Sequence, residues 1–379
     1  MTAELQLTRE RFAHVLHVAA GELQARLPRL KALEGERTVI VYSYGAKGKE
    51  LALLLGSKNT ECLIFDNSET SRARARLDGF SLTDRIDLDL PLVVAAGQNQ
   101  IEILSSLGRD AYSLAEALYA YDLPAAFGPA RDFAQAILDD SDALFDVYRR
   151  LDERSAATFL EVLDYRLSLD PRRLVSRRPV GEMWRPPVDG LDIRSFCDVG
   201  AYDGDSLAAT KATYPALTRS FTIEPNPDMA PAIAAVAERL GVTNTNFVGA
   251  AWSHDTNLSA WTMFNAMLVI EESEAGEIHA KSLDKLLAGE SFDLIKMDVE
   301  GTERAVLAGG VETLSRAKCI AFAGYHLPHD LFHLPCQLGE ILGAPLGTEN
   351  PEGWRLAFAH YSQVFDDSIF YAWRDSNGV

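Results

Sequence analysis

Short β-branched or apolar runs alternate with helix-compatible stretches over residues 38–110. TVIVYSY (38–44), ECLIFD (61–66) and PLVVAAG (91–97) are predicted strands; KGKELALLLGS, SETSRARARL and QIEILSSLG are the helices that follow them. This is βαβαβ, the unit of a parallel sheet. Before it, residues 8–33 mix charges into every turn and predict an amphipathic helix. Residues 111–190 lack strand-like runs. Their apolar residues recur at three- and four-residue spacing, which predicts two or three helices ending near Pro171. The segment RRLVSRRPVGEMWRPPVDG is rich in Arg and Pro and is expected to be an exposed connection. Residues 191–379 return to alternation, with strands expected at 194–200, 220–225, 245–252, 292–298 and 318–326. WRLAFAHYS and DDSIFYAW lie too close together for a parallel crossover, so they predict an antiparallel hairpin. The pattern divides the chain into 1–110, 111–190 and 191–379.

Composition sharpens this. The 379 residues are 47% apolar and 24% charged, ordinary globular values that leave room for two or three cored domains. The formal charge of −19 disfavours a phosphate backbone as partner, so nucleic acid is not expected. The four cysteines are scattered without a CxxC, as buried thiols of a reducing compartment would be. The N-terminus does not read as an export signal and no apolar run reaches the ~20 residues of a membrane span, so a cytoplasmic protein off the membrane is expected.

The strongest chemical signal is FCDVGAYDGDS (196–206). A strand runs into Asp198, Gly200 and Gly204, and a helix follows; the glycines allow a tight turn and close approach to a ligand. The next strand ends in Glu224, an acid able to accept both hydroxyls of a ribose. The turn is not GxGxxG, and Asp198, Asp203 and Asp205 would repel a diphosphate but attract a cation. S-adenosylmethionine, which joins an adenosine to a sulfonium, therefore fits better than NAD.

DVGAYDGDS, IEPNP, SLDKLL, FDLIKMDVEGTERAVLAGG and RLAFAHYSQVFDDSIFYAW resemble the FkbM-type S-adenosylmethionine-dependent methyltransferases over roughly residues 191–379. The resemblance implies a class I methyltransferase fold, an α/β Rossmann-like seven-stranded sheet with an antiparallel last strand. It also implies O-methylation of hydroxyls on sugars or polar small metabolites. It carries the cofactor positions onto Asp198, Gly200, Ala201, Gly204 and Glu224, and the neighbours Tyr202, Pro225, Asn226 and Ala251 complete the expected contacts. The run GAAWSHD departs from the family pattern in lacking the acid that often holds adenine. Ala251 with Trp252, or Asp255, are the alternatives there.

Transfer requires an acceptor hydroxyl held in line and relieved of its proton. Candidates at strand ends are Asp298, Glu300 and His326; Lys296 shares a strand face with Asp298. Asp298 and Glu300 could instead serve the start of the helix near Gly301, and His360 is expected to orient a neighbour. His326, His329 and His333 with Asp330 raise the alternative of a metal. HxxHxxxH shares a face only in a helix, and Pro328 and Pro335 interrupt it, so the form considered is a divalent ion held by Asp298, a histidine and substrate oxygens.

In the first block, Gly45 and Gly48 turn from strand to helix and Asp66 ends the next strand. Lys47, Lys49, Arg72, Arg74 and Arg76 lie nearby. This smaller Rossmann-like unit resembles those that open certain sugar-modifying enzymes. It would bind a nucleotide or nucleotide-sugar, or serve only as a scaffold or homo-oligomer contact. The rival functions are an NAD-dependent oxidoreductase acting through Gly45, Gly48 and Asp66, and a non-catalytic binding protein with a methyltransferase fold.

Overall fold

The computed structural model describes residues 3–188, 190–263, 267–343, 345–347 and 353–374. A long helix, Ala3–Glu34, precedes the first sheet. Strands β1 (Thr38–Tyr42), β2 (Glu61–Phe65), β3 (Ser81–Leu82), β4 (Leu92–Val94) and β5 (Tyr112–Ser113) form a parallel sheet in the order β3-β2-β1-β4-β5. β1, β2 and β4 and their helices lie where the pattern puts them. β3 and β5 have two residues each, too few to show a period.

The middle segment holds four α-helices among the described residues: Leu114–Ala120, Ala130–Asp139, Ser141–Tyr148 and Glu153–Ser168. A small hairpin, β6 (Pro124–Ala125) and β7 (Gly128–Pro129), sits among them. The segment after Pro171 is not simply an exposed connection. Leu174 and Trp184 are buried in it, because its chain runs back across the second sheet.

The second sheet combines β8 (Ser195–Val199), β9 (Arg219–Glu224) and β10 (Thr243–Val248) with later strands. Between them come β11 (Ala250–Trp252), β12 (Thr256–Met263), β13 (Met267–Glu272) and β14 (Ile278–Ser282). These four make a separate sheet in the order β11-β14-β12-β13. The run 245–252, expected to be one strand, is therefore two. It breaks at Gly249, where an added Cβ would lie 2.4 Å from the His279 carbonyl oxygen, and the chain passes there from one sheet to the other. β12–β14 carry polar residues on both faces and give no clean alternation.

Strands β15 (Leu294–Met297), β16 (Cys319–Ala323), β17 (Trp354–His360) and β18 (Ser368–Arg374) complete the large sheet. Its order is β10-β9-β8-β15-β16-β18-β17, with β18 antiparallel to both neighbours. This is the seven-stranded arrangement with an antiparallel last strand, and the terminal hairpin is the one its short link demands. Asp330–Ile341 is helical although Pro335 lies inside it, so the proline does not interrupt the segment as expected. Its N–H is simply absent from the ladder.

One apolar core runs through all three segments, from Phe12 and Val41 through Phe133 and Phe159 to Phe358 and Phe370. The loop between β17 and β18 is the polar link. Lys47 pairs with Asp366 at 2.5 Å, Gln363 Oε1 accepts from Ile101 N at 2.7 Å, and Gln100 Nε2 donates to Gln363 O at 2.9 Å. The loop thus fills the crevice between β1 and β4, where open parallel sheets place ligands. Of the cations expected to hold phosphate, Lys49 pairs with Asp78, Arg72 with Asp84 and Arg76 with Glu69. Among the described residues, no helix is long and apolar enough to cross a membrane.

His360 is fully buried in β17, with Nδ1 2.9 Å from Ser368 Oγ. Burial first, and the Arg166 guanidinium second, lower its pKa from 6.5 to about 3. The unfolded chain takes up this proton first, so stability from neutral His360 is complete above pH 6.5. It falls as pH drops toward 3, by at most ~1.4 kcal/mol per unit. Urea unfolding midpoints of the wild type should decline more steeply between pH 6.5 and 4 than those of His360→Asn. Parallel declines would exclude His360 as the cause.

Candidate functional site

A cavity of about 690 Å³ opens at the C-terminal ends of β8, β9 and β15. Its floor starts with the turn after β8. Gly200 has φ +82°, and an added Cβ would fall 1.9 Å from Asp298 O, so both conformation and space demand glycine. Gly204, at φ +90°, starts the helix Asp205–Thr213 and packs on Val236. Glu224 is almost buried at the end of β9. Its Oε2 accepts from Tyr202 N and its Oε1 from Asn226 N, both at 2.9 Å. Burial raises its pKa, against those two hydrogen bonds.

Asp198 does not reach the cavity. It is fully buried, with Oδ1 3.0 Å from Lys296 Nζ on the adjacent strand, in the register that pairs the two residues. Burial pushes the Asp198 carboxyl up to about 6, while Lys296 pulls it down. Burial would lower Lys296, but Asp198 and Asp298 raise it. The ammonium also donates to Gly200 O and lies 5.1 Å from the Trp184 ring centroid. The charge of Asp198, expected to attract a cationic ligand, is therefore met by Lys296 and spent on the turn.

Of the residues singled out from sequence, Gly200, Tyr202, Asp205, Glu224, Pro225, Asn226, Ala251, Lys296, Asp298 and Glu300 line the cavity; Asp198, Ala201 and Gly204 support it from behind. Trp252 and Asp255 turn away, Trp252 Nε1 to Glu272 at 2.5 Å and Asp255 to Lys285. Ala250, Ala251 and Ile270 make the wall there apolar. Trp184, Ile270 and Asp367 were not legible as cavity residues: they arrive from a Pro-rich segment, the small sheet and the hairpin loop. Asp367 has φ +66°, and burial, then Asp366 and Asp298, raise its carboxyl to about 7.

His326 lies just behind this wall. Its Nδ1 is 2.8 Å from Glu303 Oε1, which also accepts from Val299 N at 3.0 Å. Its Nε2 is 3.4 Å from Asp298 Oδ1 and 3.6 Å from Glu300 Oε2. Burial alone would lower the imidazolium, but Glu303, then Asp298 and Glu300, raise it to about 10. Phe127, from the β6–β7 turn, packs edge-on against the ring at 5.4 Å. Glu303 was missed in the sequence because it reads as an ordinary helix residue; only the fold turns it onto His326. His329 goes elsewhere, 3.4 Å from Asp140, and stacks near His333. The three histidines share no site.

Residues 198–334 match the model of the methyltransferase FkbM domain. Over this span the chain is similar to the FkbM methyltransferases. The matched span opens on Asp198 and takes in Glu224, Asp298, Glu303 and His326. The crystal structure of the methyltransferase FkbM from Methylobacillus flagellatus KT superposes with a TM-score of 0.71 at 19% identity, covering 97% of this chain and 100% of that one. The fold, first sheet and helices included, is thus shared end to end. The O-methyltransferase TomG from Streptomyces achromogenes aligns with a TM-score of 0.31 at 12% identity, over 73% of this chain and 96% of that one. A precorrin-6y C5,15-methyltransferase from Geobacter metallireducens GS-15 reaches 0.30 at 14% identity, over 49% and 83%. No curated protein matches. The seven-stranded part shares its fold with that FkbM methyltransferase, and the domain match over 198–334 points to methyl transfer.

The Asp198–Lys296 pair gives a stability test of this FkbM domain. Lys296→Met strands a buried carboxylate and should destabilise by roughly 3–5 kcal/mol, whereas Asp198→Asn with Lys296→Met should recover most of the loss. Urea unfolding of the single and the double variant measures this. Equal losses in the single and double variants would exclude the pair as the cause.

Proposed function

We propose that this methyltransferase moves the methyl of S-adenosylmethionine to a hydroxyl of a sugar or polar small metabolite. The observation that carries the proposal is the carboxylate of Glu224, poised beside the Gly200 turn and facing the same cavity as the strand-end Asp298. The ribose hydroxyls would replace backbone N–H groups on Glu224. Asp205, Glu224, Asp298, Glu300 and Asp367 face the cavity against Lys296 alone, so its charge suits a sulfonium and opposes a diphosphate. Adenine would lie against Ala250, Ala251 and Ile270.

The acceptor oxygen attacks the methyl carbon in line with the carbon–sulfur bond. That bond's electron pair returns to sulfur, leaving a neutral thioether, and the hydroxyl proton passes to Asp298. Holding oxygen and methyl in line supplies the entropic part of the acceleration; proton removal contributes about 10²–10⁴-fold. Glu300 and His326 help to position Asp298, His326 Nε2 at 3.4 Å from its Oδ1. The first sheet, its crevice filled by the 361–367 loop, acts as a scaffold for the hairpin, and an NAD-dependent reaction there has no support from the packing.

Calorimetry with S-adenosylmethionine and its demethylated product tests the donor, and mass-spectrometric screening of hydroxylated acceptors tests the transfer. Donor binding with no product across the panel would favour the non-catalytic rival. Glu224→Ala should weaken donor binding by about 1–3 kcal/mol, and unchanged affinity would remove Glu224 from the site. Asp298→Asn should slow turnover at least tenfold and change donor affinity far less. Undiminished turnover would leave Asp298 without a chemical role.

A further inference from the structure

In the segment before the second sheet, Arg185 N donates to Glu182 O at 3.0 Å and closes a tight turn. Met183 has φ −56° and ψ 142°, and Trp184 follows at φ +67°. These angles match a type II turn, whose third position favours glycine. A bulky side chain there is strained, and it persists only where the surroundings hold it. Trp184 is so held: it is 7% exposed and packs in one cluster with Tyr361 and Tyr371. Just upstream, Arg178 N donates to His360 O at 2.8 Å, and Arg178 Nη2 donates to Glu182 Oε2 at 2.6 Å. Met183 and Trp184 thereby line the cavity. A buried indole N–H usually has a hydrogen-bond partner, yet Trp184 Nε1 has none among the described residues.

The strand order decides which part of a donor would meet it. The sequence of neighbours is β10-β9-β8-β15-β16, each about 4.8 Å from the next. Glu224 ends β9, and Ala250 and Ala251 wall the cavity on the side of β10. With ribose on Glu224 and adenine on that wall, the amino-acid arm of the donor runs the other way, over the Gly200 turn toward β15. There Lys296 stands, its ammonium 5.1 Å from the Trp184 ring centroid. The arm carries an ammonium and a carboxylate. Asp205 and Asp298 suit the ammonium, and they oppose the carboxylate. The charge of Lys296 favours the carboxylate, but its N–H donors are taken by Asp198 and Gly200 O. A hydrogen bond to the carboxylate therefore has to come from another group, and the free indole N–H is one.

We propose that Trp184 is a specificity-determining residue for the donor: its indole N–H donates to the carboxylate of the amino-acid arm, and its ring walls that arm beside Lys296. This rests on the S-adenosylmethionine reading above and deepens it. Glu224 and the apolar wall recognise an adenosine of any kind. Trp184 distinguishes an adenosine that carries an amino acid from one that does not. The selectivity comes from a charge-assisted hydrogen bond made out of water, where an unpaired carboxylate is costly. It also gives the turn at 182–185 a reason to hold tryptophan in a glycine's conformation.

Two ligands test this by calorimetry on the full chain: the demethylated product, S-adenosylhomocysteine, and methylthioadenosine, a thioether of the same adenosine without the amino acid. The wild type should bind the product at least about tenfold more tightly than methylthioadenosine. Trp184→Phe, which keeps an aromatic ring in the turn, should weaken the product by about tenfold and methylthioadenosine by less than about twofold. The product should quench tryptophan fluorescence in the wild type and in Trp252→Phe, and far less in Trp184→Phe. Equal losses for both ligands in Trp184→Phe, or undiminished quenching there, would overturn the role of Trp184 and leave the donor reading standing. Equal wild-type affinities for the two ligands would do the same, even if Trp184→Phe fails to fold. Binding of neither ligand overturns the donor reading, and this inference with it.

Discussion

The buried pair of Asp198 and Lys296 is the constraint on which the cavity depends. Two adjacent central strands present opposite charges at matched positions, and both side chains are buried. Such a pair seldom adds net stability, because desolvation consumes most of the attraction. Its value lies in geometry. Lys296 reaches from β15 to the carbonyl of Gly200, so the glycine turn is tied to the strand that carries Asp298. Its ammonium lies 5.1 Å from the Trp184 ring centroid. Two walls of the cavity are thus held by one cation.

A second constraint joins the two sheets. The loop from Tyr361 to Asp367 leaves the edge of the large sheet, enters the crevice of the first, and returns. Gln363 meets the backbone of one helix start there, and Lys47 meets Asp366. The next residue, Asp367, points the other way and lines the methyltransferase cavity. The first sheet therefore positions a cavity residue without contributing one of its own. Arg166, buried in the middle segment, donates to Phe365 O in the same loop at 3.3 Å, so the helices brace it too. The end-to-end similarity to the Methylobacillus flagellatus protein fits this reading, since neither the first sheet nor the helices can be removed without freeing the loop.

Acidic groups dominate the charged side chains in and just behind the cavity wall, and each is managed differently. Glu224 is satisfied by two backbone N–H groups. Glu303 is satisfied by an imidazole and a backbone N–H, with one oxygen left over. Asp367 is held above the ordinary carboxylate range by burial. Charge left uncompensated at such close quarters is costly.

Much of this was present in the linear order of residues. Apolar runs of five to seven residues mark buried parallel strands wherever they occur, so both sheets and the closing hairpin were readable. The glycine turn and Glu224 lie 24 positions apart and are joined by a single helix and strand, so local geometry alone brings them together. What the tertiary structure decided are the contacts whose partners are distant in the chain. Lys296 finds Asp198, 98 residues away, only through strand register. Glu303 finds His326 only because a helix and a strand end pack side by side. Of the first-sheet cations that read as a phosphate site, Lys47, Lys49, Arg72 and Arg76 meet Asp366, Asp78, Asp84 and Glu69. Sequence pattern reports what a residue can do within one turn or one strand; which charge answers which is settled by the packing that removes water from between them.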